Sequence, residues 1–143
     1  HVDALLDDGG AEIAEALFSR DEFSDIPVQV STRYFKTTDT SARLAVIAKL
    51  EAQGLRFRKS DSRNHNTVTV VTGLFDRNGN FIDAIQKKIE FQMRDVTLEQ
   101  LMRSGIAIKS NFDVTPGIYA IRVVIRDSEA HMMAARNAAI EIP

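Results

Sequence analysis

The sequence predicts a mainly β protein, a seven-stranded antiparallel β-sandwich of immunoglobulin-like type with a short N-terminal helix. Three observations predict this class. Apolar and polar residues alternate in several segments, as they do in half-buried strands. Turn signals separate these segments, and no helix of crossover length lies between consecutive ones, so a parallel sheet is disfavoured. With 143 residues, of which 44% are hydrophobic and 27% charged, the chain suits one domain with a hydrophobic core.

The first 25 residues form an acidic leader, which we separate from the expected β-sandwich domain at 26–143. The leader holds eight acids and one base and so has a net charge of −7, whereas the rest of the chain holds 17 bases and 12 acids. This contrast indicates a linker to an upstream domain. A helix is predicted over 11–20, and a helix this short must dock on another surface to be stable. Its apolar residues at helical spacing are Ile13, Ala14, Leu17 and Phe18.

Three strands are predicted in the first half of the domain. The first covers 28–35 and follows Pro27, whose missing N–H suits a strand start. The second, 43–50, also fits a helix by composition, and we interpret it as a strand because its neighbours are strands. A polar, turn-rich loop is predicted over 56–66. The third strand, 67–75, is rich in β-branched residues.

A hairpin follows the third strand. Asn78 and Gly79 supply the two positive-φ positions of a type I′ turn, and the returning strand covers 81–93. Lys87 interrupts the apolar face of this strand, which indicates an edge strand or a bend.

A short helix over 96–103 leads to the end of the chain. Thr97 and Gln100 fit a capping box at its start, and Gly105 fits its C-terminal end. Tyr119 lies two residues after a Pro-Gly turn signal and matches the tyrosine corner of Ig-like sandwiches. The three strands that complete the seven are 106–114, 119–126 and 134–142.

The residues predict no catalytic site, metal site or cofactor. The chain has no cysteine, which excludes disulfides, thiolate zinc sites and cysteine nucleophiles. The internal histidines, His65 and His131, lie in separate predicted loops without a second ligand at metal spacing. Asp61 and Asp127 each have a histidine nearby in sequence, but no serine occupies a nucleophile elbow to complete a triad.

Two segments resemble metal sites and have a simpler structural interpretation. Asp76, Asn78 and Asn80 show the alternating oxygen spacing of a calcium loop, but an EF-hand also requires a glycine, a bidentate glutamate and flanking helices. We interpret them as a turn. The segment 131–133, His-Met-Met, suggests a soft-metal site. Three adjacent residues do not wrap one ion, so we interpret the methionines as covering apolar surface.

Basic residues define the predicted interaction surface. One part is the 56–66 loop, with four bases, one acid and an aromatic residue, and the other is the edge strand around residue 87. A basic loop with an aromatic residue also fits single-stranded nucleic acid or a phosphorylated surface, or it is simply a solvated loop. The candidate residues are Arg56, Phe57, Arg58, Lys59, Arg63, Lys87 and Lys88.

Three further arginines lie in the last two strands. Arg122 and Arg126 project from the same strand face, and we place Arg136 alongside them. Glu90 and Glu141 are the expected cross-strand partners. Exposed pairs of this kind contribute little to stability.

Several motifs together resemble a known family. They are Ile26-Pro27-Val28, Tyr34-Phe35, the run 73–79 (Gly-Leu-Phe-Asp-Arg-Asn-Gly), the run 115–127 from Thr-Pro-Gly-Ile-Tyr to Arg-Asp, and the closing Ile140-Glu141-Ile142-Pro143. Their order is similar to the C-terminal region of the von Willebrand factor A-related proteins of acidobacteria and relatives, over residues 26–143.

In that family an A-type domain precedes a β-rich tail and carries any metal-dependent adhesion site in an Asp-x-Ser-x-Ser motif. The present sequence lacks this motif. The resemblance therefore implies an accessory tail of an exported protein, periplasmic or extracellular, and no functional residue is carried over.

We therefore expect a non-catalytic accessory binding or architectural module of a larger adhesion-type protein. Its expected contacts are a protein partner or an upstream domain of the same chain, with no nucleic acid, no membrane insertion and no cofactor; the sequence defines no oligomeric state. A carbohydrate-binding β-sandwich is the alternative, although tryptophan is absent and aromatic residues are only 7%. An enzyme ranks last, because no nucleophile, base and orienting group can be assembled.

Overall fold

The computed structural model of the chain describes residues 10–19 and 23–143. The α-helices in these ranges are α1, Gly10–Phe18, and α2, Asp95–Ser104, and a short 3-10 helix covers Ala52–Gly54. Two very short strands are present, β1 (Phe23–Ser24) and β4 (Arg58–Ser60). The long strands are β2 (Val28–Thr38), β3 (Ser41–Leu50), β5 (Arg63–Asp76), β6 (Phe81–Met93), β7 (Ile106–Val114), β8 (Gly117–Asp127) and β9 (Met132–Ile142). These seven correspond to the seven predicted strands.

Two antiparallel sheets pack face to face, so the predicted Ig-like β-sandwich is confirmed. In the larger sheet, sheet A, β1 pairs with β9, β9 with β8, and β8 with β5. On its other edge β5 pairs with β6, while its first residues pair with β4 on the edge that β8 also occupies. The smaller sheet, sheet B, has the order β2-β3-β7. The second predicted strand is confirmed as β3, the central strand of sheet B.

The hydrophobic core lies between the two sheets. Alternation along each strand turns one set of apolar side chains inward. Full burial of such a side chain contributes roughly 1.5–3 kcal/mol, so this layer dominates stability. Its fully buried members include Leu44, Val46 and Leu50 from sheet B, and Val68, Val70, Leu74, Ile121 and Ile125 from sheet A.

The tyrosine corner is confirmed. The hydroxyl of Tyr119 donates to the backbone oxygen of Thr115 at 2.6 Å. This bond fixes the connection between β7 and β8 at the start of β8.

The prediction of a continuous loop over 56–66 is wrong. Residues 58–60 form β4, which pairs with the first residues of β5. Asp61 and Ser62 connect them with φ values of 51° and 62°, the two positive-φ positions of a type I′ turn. A three-residue strand is too short to show alternation, which is why the pattern did not reveal it.

The 76–80 hairpin is confirmed, but its turn type is not. Gly79 has a φ of 84°, whereas Asn78 is not among the positive-φ residues. The Asp76 carboxylate accepts the backbone N–H groups of Asn78 and Asn80 at 2.8 and 2.9 Å. This side-chain cap favours a wider turn with a single left-handed residue.

Helix α2 is longer than predicted and lacks the expected capping box. Its N-cap is Arg94, which makes no side-chain cap hydrogen bond, so Thr97 lies inside the helix. The C-terminal prediction is confirmed, because Gly105 has a φ of 75° and donates its N–H to Leu101 at 2.8 Å. Neither described helix is long and apolar enough to cross a membrane.

Candidate functional site

Helix α1 packs on the outer face of sheet A. Its buried side chains form a second apolar cluster, separate from the inter-sheet core. Gly73, in the middle of β5, allows this close approach: a Cβ built there would lie 2.6 Å from Leu17 Cδ1. The buried members of the cluster are Ile13, Ala16 and Leu17 from α1 and Val71, Val124 and Ala135 from the sheet.

Two arginines of β8 lie under this helix. Arg122 is 3% exposed, and its Nε donates to the backbone oxygen of Ala16 at 2.7 Å, while Nη1 donates to Asn137 Oδ1 at 2.7 Å. Arg126 is 8% exposed, and its Nε lies 3.7 Å from Glu12 Oε2. Arg126 thus lies near the acid in the first turn of α1. Arg122 binds a backbone carbonyl in its last turn, where the helix dipole is negative.

The sequence identified the shared face of Arg122 and Arg126 but not what covers it. The expected partners Glu90 and Glu141 are wrong. Arg122 binds Ala16 of α1 and Asn137 of β9, whereas Arg126 lies near Glu12 of α1 and donates its Nη1 to Ser128 Oγ at 3.3 Å. The placement of Arg136 is also wrong: it is opposite Val123 in the β8–β9 register, on the inner face of sheet A. There it lines a groove between β2 and β9 together with Lys49 and Glu51.

Most of the predicted basic segment 56–59 is engaged in local structure. The backbone N–H of Arg56 donates to Asp127 Oδ2 at 2.9 Å. Phe57 packs edge-to-face on Phe91 with ring centroids 5.7 Å apart. Two exposed ion pairs complete the segment, joining Arg58 Nε to Glu129 Oε1 at 3.4 Å and Lys59 Nζ to Asp95 Oδ2 at 2.8 Å.

The second predicted surface lies elsewhere on sheet A. Within the described chain β6 pairs only with β5, as expected of an edge strand. Lys87 bridges to sheet B by donating its Nζ to the backbone oxygen of Lys109. Lys88 is exposed on the opposite face, and Arg63, at the start of β5, is half-buried. Lys87 is opposite Val70 of β5. Val70 lies five residues, or about 17 Å, from the last residue of β5 that pairs with β4. The structure does not bring the two basic segments together.

Asp127 organises one end of the sandwich and is fully buried. Its carboxylate accepts the N–H of Arg56, the amide of Asn66 at 2.9 Å, and the N–H groups of Glu129 and Ala130 at 3.0 and 3.1 Å. This carboxylate closes the β8–β9 turn onto the 51–57 connection. The arrangement is that of a structural cap.

The other sequence candidates for chemistry are dispersed. His65 Nε2 lies 3.1 Å from the backbone oxygen of Ser60, and His131 is exposed in the β8–β9 turn. Met132 packs on the inter-sheet core and Met133 on the α1 cluster, so they face opposite sides of sheet A. Among the described residues, no group of three histidine or acidic side chains is arranged to hold a metal ion.

The outer face of sheet B carries the candidate site that the sequence analysis missed. Outward positions of its three strands form a surface that we call the open face. All of it is exposed except Ala45, which is buried, and Ile47, which is half-buried. Phe35 is 70% exposed at one corner. The remaining members are Gln29, Ser31, Arg33, Arg43, Lys49, Ala107, Lys109, Asn111 and Asp113.

The open face is basic. It carries four bases and one acid, and that acid, Asp113, pairs with Arg43 at 3.5 Å. Within the described ranges, Arg33, Lys49 and Lys109 have no ion-pair partner. The sequence did contain a signal for this face. In β2 and β3 every second residue points into the core, and the residues between them include most of these bases.

Comparison with known proteins identifies the fold and no family. No protein-family model matches the sequence, and no curated protein matches it significantly. The fold is similar to part of a β-glucuronidase from Bacteroides uniformis, with 10% identity and a TM-score of 0.53 over 79% of this chain and 13% of that chain. It is also similar to part of a glycosyl hydrolase family 2 member from Bacteroides cellulosilyticus, with 13% identity and a TM-score of 0.53 over 84% of this chain and 16% of that chain.

A putative β-galactosidase from Bacteroides fragilis is a third such structure, with 15% identity and a TM-score of 0.53 over 79% of this chain and 16% of that chain. The present chain thus spans a small fraction of the length of these proteins. The similarity defines a shared β-sandwich. The resemblance to von Willebrand factor A-related proteins remains a prediction from the sequence motifs.

Proposed function

We propose that the chain is a non-catalytic accessory β-sandwich module of a larger, exported adhesion-type protein. In this role it spaces an upstream domain and contacts a protein partner. The motif resemblance to the tail of von Willebrand factor A-related proteins supports the context. The fold supports an accessory β-sandwich, since the same architecture forms a small part of much longer proteins.

The observation that carries the spacing role is the attachment of α1. The helix buries Leu17 completely against sheet A, and Arg122 bonds its last turn. A leader fixed in this way transmits the orientation of whatever precedes it. A flexible linker, by contrast, has few buried apolar contacts and a fluctuating end-to-end distance.

The contact role fits the open face better than the basic segments proposed from sequence. Arg58 and Lys59 are paired with Glu129 and Asp95, which reduces the charge that they offer to a partner. The open face holds four bases against the single acid Asp113, and two of these bases, Arg33 and Arg43, neighbour the exposed Phe35.

A distance measurement tests the spacing role. The chain has no cysteine, so spin labels at Glu15→Cys and Asn111→Cys are site-specific. We expect a narrow distance distribution between α1 and sheet B, like that of a control pair within the sandwich, Arg77→Cys with Asn111→Cys. A broad distribution confined to the α1 pair would contradict the proposal, because the leader would then be a loose tether.

A carbohydrate-binding module is the second candidate, and Phe35 is the observation that favours it. Phe35 is 70% exposed on the outer face of sheet B beside Arg33 and Arg43, where sugar rings can stack on an aromatic side chain. Three proteins of similar fold are glycosidases by name. We expect binding on a glycan array to disappear in Phe35→Ala if this function holds. An array without hits eliminates it.

A further inference from the structure

Resting on the proposed accessory role, we infer that the open face binds a short acidic amphipathic helix of a partner protein. Three strands about 4.8 Å apart and four rows of outward residues give a platform of about 10 by 20 Å. A helix of about 12–13 residues has the same length, at 1.5 Å per residue.

The charges of the open face select an acidic partner. Arg33, Lys49 and Lys109 lie in three successive rows on three strands. None of these three bases has an acid as its direct cross-strand neighbour, so their charges add to a positive potential over the face. This potential steers an acidic partner toward the face. The acid Asp113 lowers it at the corner where it pairs with Arg43.

The centre of the open face suits an apolar helix stripe. Ala45 and Ile47 occupy the middle of the central strand, between Arg33 on one side and Lys109 on the other. Ala45 is buried and Ile47 is half-buried, so the accessible apolar surface at this centre is that of Ile47, and bases lie around it. A helix with leucines on one side and glutamates flanking them matches this arrangement.

The opposite side of the same molecule uses this mode of recognition. Helix α1 lays Leu17 over the small residue Gly73 of sheet A, and Ala16 packs in the same apolar cluster. Its acid Glu12 approaches Arg126, a base of the sheet. Sheet B presents the equivalent elements, a small apolar centre and flanking bases, to a helix from outside.

The test measures binding of a synthetic peptide to the intact chain. The probe is a fluorescein-labelled, 14-residue peptide with leucines at helical spacing and glutamates elsewhere, and its control is a scrambled peptide of identical composition. The variant Arg33→Glu/Lys109→Glu reverses two bases of the open face. The matched variant Arg77→Glu/Arg94→Glu makes the same change of net charge on exposed residues away from the open face, in the β5–β6 turn and at the N-cap of α2. Circular dichroism melts confirm that both variants fold.

We expect the amphipathic peptide to bind, and the open-face variant to bind about tenfold more weakly or worse. The matched variant and the scrambled peptide distinguish this from general charge attraction. Equal binding of both peptides, or equal loss in both variants, overturns the inference. Binding of oligogalacturonate in place of the peptide also overturns it, in favour of an anionic sugar. Absence of peptide binding with a narrow α1 distance distribution overturns this inference alone and leaves the spacing role intact.

Discussion

Arg122 Nε donates to the backbone oxygen of Ala16 at 2.7 Å, joining residues that are 106 positions apart in the chain. The acceptor is one of the last carbonyls of α1, and it also accepts the backbone N–H of Ser19, directly after the helix, at 3.3 Å. The donor is a buried cation on the central part of sheet A. This single bond therefore stabilises the helix end, the buried guanidinium and the attachment of the leader together.

Replacing Arg122 should loosen the leader and destabilise the fold. Arg122→Met keeps the apolar stem but leaves the Ala16 carbonyl and the Asn137 amide oxygen without this donor. We expect a loss of about 2 kcal/mol in the free energy of unfolding, since hydrogen bonds to charged groups contribute roughly 1.5–3 kcal/mol. Urea denaturation measures it. Arg77→Met, in an exposed turn, is the control and should change stability by less than about 0.5 kcal/mol.

Gly73→Ala should push α1 away from sheet A. The added Cβ lies 2.6 Å from Leu17 Cδ1 and 3.2 Å from Phe75 Cε1, so a buried leucine must move. We expect a loss of about 1–3 kcal/mol, typical of overpacking, and faster amide exchange in α1. In a Leu17→Ala background the same change should cost much less, because its steric partner is gone. An equal cost in both backgrounds would show that the clash is not the cause.

The long strands could be predicted from sequence because each has one buried face, and alternation records that face directly. The short strands β1 and β4 could not, since two or three residues show no period. The turn at 76–80 was misassigned because the Asp76 carboxylate, rather than the Asn-Gly pair, determines its shape. The Tyr119 corner was predictable because it depends on a local Pro-Gly-x-Tyr sequence.

The α1 site was only partly predictable. The apolar stripe of the leader and the shared face of Arg122 and Arg126 were both visible, but the sequence does not state which surface covers which. Gly73 within a β-branched strand was the missed signal, since such a glycine often marks close approach of another element. Arg136 was predicted beside Arg122 and Arg126 on the outer face. It lies two residues before Ala138 on the same strand, and this spacing already indicated the inner face.

Tyr119→Phe should cost about 1 kcal/mol. The change removes the hydroxyl that donates to Thr115 and leaves the ring in place. A typical hydrogen bond contributes about 0.5–1.5 kcal/mol to the free energy of unfolding. Tyr34→Phe is a matched control, because Tyr34 is 40% exposed. Thermal unfolding of both variants should lower the midpoint only for Tyr119→Phe. Equal shifts would mean that the corner bond is not stabilising.

Asp127→Asn should be more damaging than its isosteric nature suggests. The carboxylate accepts from four N–H groups, and an asparagine places an NH₂ group against at least one of these donors. We expect a loss of about 3 kcal/mol, as for a buried network left with unsatisfied groups. Asp113→Asn, on the exposed open face, should cost less than about 0.5 kcal/mol. Similar denaturation midpoints for the two variants would contradict this role of Asp127.

The ionised Asp76 should stabilise the fold, and acid should remove this stabilisation. The backbone N–H of Asn80 is the main group that holds the pKa of Asp76 below its ordinary 3.8, with help from the Asn80 side chain and the N–H of Asn78. A carboxyl whose folded pKa is lowered stabilises the fold fully above its unfolded pKa, and this contribution is lost as pH falls through the folded pKa. Stability should therefore fall below about pH 4, and Asp76→Ala should flatten part of that fall.

Carboxyl ¹³C chemical shifts measure the pKa of Asp76 directly in the folded chain and in urea. We expect the folded value to be the lower of the two. Asn80→Ala, which removes the side-chain donor and keeps the backbone N–H, should raise the folded pKa of Asp76 part of the way toward its ordinary value. A folded pKa equal to or above the unfolded one would show that the turn does not favour the ionised carboxylate, and the acid sensitivity would then have to arise elsewhere in the chain.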